Sequence, residues 1–392
     1  MIAPASIPVT GAEAICNVKL LKVLSENGYK IDLISKKMKY THYPETDLAE
    51  LGLSLNYVSI IEVDNKMSLK VIWQHLCCLF IFGTVFKGAH WAYCALKTAK
   101  KLCKENQYDA IITKNSPSEL LGSYFKKKKG YKWIATWNDP YPTKKYPKPY
   151  GNGVTAKLFI LESPLLNLME KADYHIFPNQ RIRDYMRSYL NIPSEKTRII
   201  PHVVIPREHH DTPHENLRIV HLGNLLPPRD AAPFLRALTE FIKNEKDAKL
   251  EIAFIGQTPQ SVKDFVNTNH LEKYVKIFPP VKYKESQHIL ENYDIQLIVE
   301  APCEEGIFLP TKVSDSMQLG KPIFTISPSV GVLNDLYKQG HISYFSSVQN
   351  EKNILSTLRQ IYKDFTNGKI KSFSLEKSYS PRTIFQQYNE II

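Results

Sequence analysis

The most informative segment of the chain is Pro302-Cys-Glu-Glu-Gly-Ile-Phe-Leu-Pro-Thr-Lys-Val-Ser-Asp-Ser-Met-Gln-Leu-Gly-Lys-Pro322. It lies between two short apolar runs, Ile295–Val299 and Ile323–Ile326. Continuous runs rich in Ile, Leu, Val and Phe are typical of buried parallel strands, and the residues between them are enough for one crossover helix. The sequence therefore predicts a βαβ unit here.

The start of the crossover helix has the features of an anion-binding site. Pro310 suits a first helical position, and Gly320 followed by Pro322 ends the helix. Thr311 and Lys312 place a hydroxyl and a cation in the first turn, where free backbone N–H groups and the helix dipole already favour an anion. A helix start prefers acidic residues, so Lys312 works against local preference and indicates a phosphate site.

The second half of the segment carries a family signature. Asp315-Ser-Met-Gln-Leu-Gly-Lys-Pro-Ile323 resembles the Glu-Ala-Met-Ala-x-Gly-x-Pro-Val signature of nucleotide-sugar glycosyltransferases with the GT-B fold, of the retaining family 4 (group 1) type. The resemblance implies that Asp315 holds the donor ribose hydroxyls and that backbone amides just before it hold the diphosphate. The family places another Glu where Ile307 stands here, with Glu304 and Glu305 nearby as candidates for sugar contact. The alternative is an ordinary βαβ crossover without a ligand, because short motifs also match by chance.

A turn near residue 223 extends the resemblance. Gly223-Asn-Leu-Leu-Pro-Pro-Arg229 follows a predicted strand, where the family shows Gly-Arg-Leu-x-x-x-Lys-Gly with both cations on the donor diphosphate. Arg229 matches the second cation, while Asn224 replaces the first. A guanidinium grips phosphate in a bidentate way, so Arg229 is the strongest basic candidate.

Composition bounds the class of protein. At 392 residues with 43% apolar residues the chain suits two domains. The net charge of +12 favours anionic partners such as phosphorylated substrates, anionic lipid or nucleic acid, and a solvated basic surface is the alternative. Six cysteines without metal-binding spacing indicate a reduced, cytosolic compartment, and neither a secretory signal nor a membrane span is expected.

The N-terminal half reads as a first Rossmann-like domain. A loop with Gly11, a helix over residues 12–27 and a strand over residues 31–35 follow one another, and the resemblance implies that Gly11 faces the bound sugar. A strand at residues 133–137 runs into Asn-Asp-Pro, which is similar to the Arg-Asp-Pro-Trp step of some of these enzymes. Asp139 is then expected at the carboxyl end of a parallel strand, where ligands bind. A plain Asx-Pro turn is the alternative.

Two further segments allow two interpretations each. Residues 71–86 are the most apolar of the chain and are followed by aromatic residues and lysines up to residue 101. This pattern is typical of a helix lying on an anionic membrane surface, although a buried core helix is also apolar. His209, His210 and His214 suggest a metal site, but without a helix to align them the sequence favours a solvated linker.

These features together predict an α/β protein with two doubly wound, Rossmann-like domains facing across a cleft. The expected divisions are an acceptor domain (1–205), a linker (206–216), a donor domain (217–375) and a C-terminal helix (376–392) that returns to the first domain.

The resemblance implies a glycosyltransferase that moves a hexose from a nucleoside-diphosphate donor to a hydroxyl of a lipid-linked or polysaccharide acceptor. We expect a role in capsule, O-antigen or exopolysaccharide synthesis, in the cytoplasm at the inner face of the membrane. We expect no cofactor and no nucleic-acid partner. We expect no metal ion either, because Arg229, Lys312 and the helix start stabilise the leaving phosphate. The mechanism is expected to retain the anomeric configuration; if it inverts, Asp139 is the candidate base. The alternatives are a nucleotide-sugar 2-epimerase of the same fold and a non-catalytic anion-binding protein.

Overall fold

The structure is a computed structural model that describes residues 1–39, 47–64, 66–84, 86–158, 162–208 and 214–392. Residues 209–213 of the predicted linker, with His209 and His210 of the suggested metal site, lie outside the described residues. The chain divides into two compact units. The first comprises Met1–Tyr146, Gly153–Val203 and Lys377–Ile392, and the second comprises Pro147–Asn152 and Val204–Glu376.

The first unit alternates parallel strands with helices. Its strands are β1 (Asp32–Met38), β2 (Tyr57–Val63), β3 (Ala110–Lys114), β4 (Lys132–Thr136), β5 (Tyr174–Phe177) and β6 (Thr197–Ile199). Its helices are α1 (Ala12–Glu26), α2 (Leu69–Phe82), α3 (Ala89–Glu105), α4 (Ser118–Lys129), α5 (Glu162–Met169), α6 (Gln180–Arg187) and, at the end of the chain, α13 (Pro381–Asn389).

Ile2 joins the two groups of parallel strands in the first unit. The order β3-β4-β5-β6 is parallel throughout, as is the pair β1-β2. Ile2 bridges Ile34 of β1 and Thr113 of β3, so the N-terminal residues lie between the two groups of strands. Close packing of α4 on β4 depends on Gly122, because a Cβ there would lie 2.1 Å from the indole nitrogen of Trp133.

The second unit has the strand order of a dinucleotide-binding fold. Its strands are β7 (Leu217–Leu222), β8 (Leu250–Ile255), β9 (Val275–Phe278), β10 (Ile295–Val299), β11 (Ile323–Ser327) and β12 (Tyr344–Ser347), paired in the parallel order β12-β11-β10-β7-β8-β9. Its helices are α7 (Ala232–Asn244), α8 (Gln260–Thr268), α9 (Tyr283–Glu291), α10 (Thr311–Gln318), α11 (Val332–Lys338) and α12 (Glu351–Thr366).

The interior of the second unit explains why its apolar runs form strands. Phe234 of α7 makes edge-to-face contacts with Phe254 of β8 and Phe324 of β11, at 6.4 and 6.5 Å between ring centroids. All residues of β10 and β11 are buried, as expected for strands covered on both faces. The predicted α/β fold with parallel sheets is confirmed.

Two local predictions need correction. Helix α10 begins at Thr311, and Pro310 precedes it as the N-cap residue because its ψ of 137° is extended. Helix α2 is not the fully buried core helix that was one reading of residues 71–86. Its residues Val71, Gln74, Cys78 and Phe82 are buried, whereas Leu69 and Phe80 are 87% and 86% exposed. No helix of the described residues has the length and apolarity needed to cross a membrane.

Candidate donor site in the second unit

The sheet order of the second unit marks where a ligand binds. Strands β7 and β10 are neighbours, with Ile295 paired to Ile219, although β8 and β9 lie between them in sequence. The chain leaves these two strands toward opposite sides of the sheet, and open α/β sheets bind ligands at the carboxyl ends of such strands. The residues that follow β7 and β10 are Gly223 and Glu300.

Gly223 makes room for a cation. It has φ +100°, and a Cβ built on it would lie 3.2 Å from Cε and 3.3 Å from Nζ of Lys312. The ammonium group therefore lies against the backbone of the turn after β7. The turn after β8 also approaches the backbone of Gly223, because a Cβ on Gly256 would lie 2.4 Å from the carbonyl oxygen of Gly223. Both positions require glycine for the turns to approach each other.

Lys312 stands at the start of α10. This helix has no side-chain N-cap hydrogen bond and no acidic residue in its first turn, so the positive end of its dipole adds to the lysine charge. Among the described residues, no carboxylate lies within ion-pair distance of Lys312 Nζ. Burial, and after it repulsion from Arg229, lowers the pKa of Lys312, while Glu300 and Asp315 oppose the shift. The two predicted phosphate-binding cations are thus brought together.

Arg229 contacts Glu300 and Tyr150, two residues that the sequence analysis did not identify as site residues. Its Nε donates to Oε1 of Glu300 at 3.2 Å, and the hydroxyl of Tyr150 donates to Oε2 at 2.8 Å. The guanidinium carbon lies 5.7 Å from the centre of the Tyr150 ring, and the ring of Phe308 meets that ring edge-on at 5.0 Å. A buried carboxylate therefore neutralises Arg229 where a diphosphate is expected to bind. Only the position of Glu300 directly after a buried strand signalled this role in the sequence.

A buried histidine lies beneath the two cations. Burial, and after it the Lys312 and Arg229 charges, lowers the pKa of His221 to about 3. Its Nδ1 donates to the carbonyl oxygen of Leu297 at 3.1 Å, as a neutral imidazole can. His221 is therefore uncharged at neutral pH and adds no positive charge to the site.

The other predicted site residues of the second unit differ in their burial and in their hydrogen bonds. Asp315 is buried in α10 and accepts a hydrogen bond from the hydroxyl of Tyr283 at 2.8 Å. The Oδ1 atom of Asn224 accepts from the backbone N–H of Gln257 at 3.0 Å, so this residue ties two loops together. Glu304 is exposed, Glu305 is half-buried and Ile307 is fully buried.

A concave surface adjoins the turn at Gly256. This cavity of about 670 Å³ lies past the carboxyl ends of β8 and β9, and its lining includes Gly256, Thr258, Phe278, Pro279 and Pro280. Phe278 exposes an aromatic ring there. The volume falls in the usual range for small-molecule sites.

Two predicted site residues belong to the first unit. Gly11 is the N-cap residue of α1 in extended backbone conformation. Asp139 follows β4, and its charge raises the pKa of Glu13. Both residues lie in loops that leave the carboxyl edge of the sheet.

Comparisons with known proteins define the class. Residues 17–208 match the sequence model of Glycosyltransferase Family 4, and curated proteins give no significant match. Among solved structures, HepE from Anabaena with UDP and glucose is similar over 99% of this chain and 97% of its own, at TM-score 0.65 and 14% identity. Sucrose-phosphate synthase from Thermosynechococcus elongatus is similar over 100% and 97%, at TM-score 0.68 and 14% identity. WaaG, a glycosyltransferase involved in lipopolysaccharide biosynthesis, is similar over 99% and 95%, at TM-score 0.60 and 11% identity.

The chain is therefore a glycosyltransferase with the GT-B fold. Residues 17–208 carry the domain of Glycosyltransferase Family 4, the family that the signature at Asp315–Ile323 predicts. The family match favours this class over the epimerase and the non-catalytic protein.

Proposed function

We propose that the enzyme transfers a hexose from a nucleoside-diphosphate sugar to a hydroxyl of a lipid-linked or polysaccharide acceptor in surface-glycan synthesis. The observation that carries the proposal is that Lys312 lies against Gly223, where the strand order of the second unit reverses, and that Arg229 is near enough for its charge to act on Lys312. Two cations that repel each other beside a helix start favour an anion with more than one charge. The complex of HepE with UDP and glucose supports a nucleotide-sugar donor.

The donor is proposed to bind in three parts. The diphosphate binds Arg229, Lys312 and the first turn of α10, and Asp315 accepts hydrogen bonds from the ribose hydroxyls. The base lies in the cavity beside Gly256, against the exposed ring of Phe278. Glu304 and Glu305 remain candidates for the sugar hydroxyls.

Binding requires an exchange of partners at Arg229. The guanidinium is engaged by Glu300, so a phosphate oxygen has to replace the Oε1 contact. The hydrogen bond from Tyr150 keeps Glu300 in place during that exchange. Arginine suits this task because its planar fork of N–H groups can grip two phosphate oxygens once Nε is released from Glu300.

The proposed chemistry needs no metal ion. Negative charge grows on the leaving diphosphate as the sugar departs, and fixed cations at that position stabilise the transition state more than the ground state. We propose a retaining reaction in which the leaving phosphate takes the acceptor proton. Proton NMR of the first product reports the anomeric configuration, and unchanged rates in EDTA are the expected result for metal independence.

The proposed role in surface-glycan synthesis is based on the exposed apolar residues of α2. Leu69, Trp73 and Phe80 recur on one side of this helix and are 87%, 63% and 86% exposed. Lys70 lies on the same helix, and the neighbouring α3 carries Lys97, Lys100 and Lys101. An apolar face with lysines nearby fits an anionic membrane surface, and this supports our proposal that the enzyme acts on lipid-linked acceptors at the cytoplasmic side of the membrane.

Vesicle binding tests the membrane assignment. A fully buried apolar side chain contributes about 1.5–3 kcal/mol, so the double variant Trp73→Ser/Phe80→Ser is expected to bind anionic vesicles at least ~10-fold more weakly. Leu375→Ser, in the second unit, removes an apolar side chain that is also exposed and serves as the control. Equal sedimentation of all three proteins with phosphatidylglycerol vesicles would exclude α2 as the docking surface.

A donor screen tests the reaction class. Thermal shifts are measured across UDP-, GDP-, ADP- and dTDP-sugars, and the stabilising donor is then incubated with and without acceptor glycans. We expect one nucleotide class to stabilise the protein and to release its sugar slowly to water. A donor that is converted to another sugar nucleotide without acceptor would contradict the transferase assignment.

A further inference from the structure

Residues Pro147–Asn152 form a short strap that belongs to the second unit. The chain leaves the first unit after Tyr146 and returns to it at Gly153. The backbone N–H of Gly153 donates to the carbonyl oxygen of Tyr146 at 2.8 Å, so a hydrogen bond joins the two ends of the strap. Inside the strap, the backbone N–H of Tyr150 donates to the carbonyl oxygen of Pro147 at 2.9 Å. The strap is therefore a closed turn in which the backbone at Tyr150 is fixed.

The side chain of Tyr150 lies against residues that follow strand β10. Its ring meets the ring of Phe308 edge-on, with 5.0 Å between centroids, and the centre of its ring lies 5.7 Å from the guanidinium carbon of Arg229. Its hydroxyl donates to Oε2 of Glu300 at 2.8 Å and accepts from the backbone N–H of Ala301 at 3.4 Å. Burial, and after it the Glu300 charge, raises the pKa of Tyr150, so the hydroxyl keeps the proton that it donates.

The Glu300 carboxylate depends on two donors. Its side chain is 9% exposed, and among the described residues its oxygens accept from Nε of Arg229 at 3.2 Å and from the Tyr150 hydroxyl. Removing one partner of a buried ion pair is costly, because the other charge stays buried without compensation. A diphosphate that binds Arg229 imposes this cost on Glu300. The Tyr150 hydroxyl is then the donor that stays in place.

The strength of this hydrogen bond changes with the position of Arg229. While the guanidinium is paired with Glu300, it compensates the negative charge to which Tyr150 donates. Once the guanidinium binds a phosphate, Tyr150 donates to a carboxylate with its full charge. Hydrogen bonds to charged groups are roughly twice as strong as those between neutral groups. The hydroxyl therefore stabilises Glu300 more when the Glu300–Arg229 pair is open than when it is closed.

We propose that Tyr150 is a positioning residue of the donor site, whose hydroxyl stabilises the Glu300 carboxylate when a diphosphate displaces it from Arg229. The strap thereby lowers the cost of opening the pair, and the affinity for a diphosphate depends on a segment outside the sheet of the second unit. The inference rests on the proposed function, because it takes the donor diphosphate as the ligand of Arg229. Packing on Phe308 alone would explain an aromatic ring in this place, but it does not explain a hydroxyl directed at a buried carboxylate.

Phosphorus NMR titration of the full chain tests this role without turnover. The probes are inorganic pyrophosphate, UDP, GDP, ADP and dTDP, and the variants are compared with the probe that wild type binds most tightly. Tyr150→Phe keeps the ring against Phe308 and removes the hydroxyl. It is expected to weaken binding about 5-fold, the scale of one hydrogen bond whose acceptor gains a full charge. Tyr293→Phe, the control, removes a hydroxyl that donates to Oε1 of Glu251 at 2.8 Å in the same unit, and it should bind like wild type.

A double-mutant cycle separates this role from a general effect on folding. Glu300→Gln removes the charge that Tyr150 is proposed to stabilise. Tyr150→Phe should therefore change the affinity less than about twofold in the Glu300→Gln background. A tyrosine that only supports the fold would lower the affinity equally in both backgrounds. Thermal melts without ligand compare the stability of Tyr150→Phe with that of Tyr293→Phe, which loses the same kind of hydrogen bond.

The outcomes separate this role from the proposed function. Equal affinity of wild type and Tyr150→Phe would overturn the role of Tyr150 and leave the diphosphate site in place. An equal loss of affinity with Glu300 and with Gln at position 300 would do the same. A wild type that binds none of the probes would overturn the proposed donor reaction and this inference with it.

Discussion

Replacing Lys312 with methionine removes the charge against Gly223 and keeps most of the volume of the side chain. The Lys312 ammonium is half-buried at the start of α10. Two unit charges about 4 Å apart interact by ~4 kcal/mol at an effective dielectric near 20. Losing one donor that stabilises transition-state charge typically costs about 10²–10³ in rate. We therefore expect Lys312→Met to lower kcat about 100-fold, because the leaving diphosphate carries more charge in the transition state than in the bound donor.

The assay compares initial rates at saturating donor with donor affinity from calorimetry. A larger loss in kcat than in affinity is expected for Lys312→Met, and Arg229→Ala is expected to lose both. Lys338→Met, at the exposed end of α11, removes one positive charge elsewhere on the same unit and serves as the control. Near-normal turnover in both Lys312→Met and Arg229→Ala would refute the phosphate assignment.

Three further changes test other parts of the structure. Glu300→Gln removes the carboxylate that competes for Arg229, so it should tighten nucleotide binding by about 3–10-fold in calorimetry, the range of a partly exposed charged contact. Gly256→Ala places a Cβ 2.4 Å from the carbonyl oxygen of Gly223, so it should weaken donor affinity in the same assay and lower the thermal midpoint. Glu119→Gln should make the thermal stability of the first unit less dependent on pH, as thermal melts between pH 5 and pH 8 will show.

The sign of the pH effect follows from the buried carboxyl group. Burial raises the pKa of Glu119 from 4.5 to about 8, so between these values the folded state keeps a proton that the unfolded state has lost. The free energy of unfolding therefore falls as pH rises from 4.5 to about 8, by on the order of 5 kcal/mol. Glu105→Gln, on the exposed end of α3, should melt like wild type at each pH. Parallel pH curves for wild type and Glu119→Gln would contradict the burial argument.

Local pattern was enough to predict much of the second unit. The strand at 295–299 matches its predicted bounds, and the strand predicted at 323–326 extends one residue further, because each is a continuous apolar run between turn residues. The structure also has Gly223 in the turn after β7 and Lys312 in the first turn of α10, where the sequence predicts them.

The partners of Arg229 were not predictable in the same way. Glu300 lies 71 residues from Arg229 and Tyr150 lies 150 residues from Glu300, so only tertiary packing brings them together. Residues 147–152 belong to the second unit although they lie between β4 and β5 of the first unit in sequence, and no local signal indicates this.

The carboxyl edges of the sheets in the two units differ in their electrostatics. At the carboxyl edge of the second unit, Lys312 lies against Gly223, burial and the Arg229 charge lower the pKa of Lys312, and the first turn of α10 has no acidic residue. At the corresponding edge of the first unit, burial raises the pKa of Glu13 to about 7, Lys114 opposes this rise and Asp139 adds to it. We therefore expect a diphosphate to be stabilised more at the first of these edges than at the second.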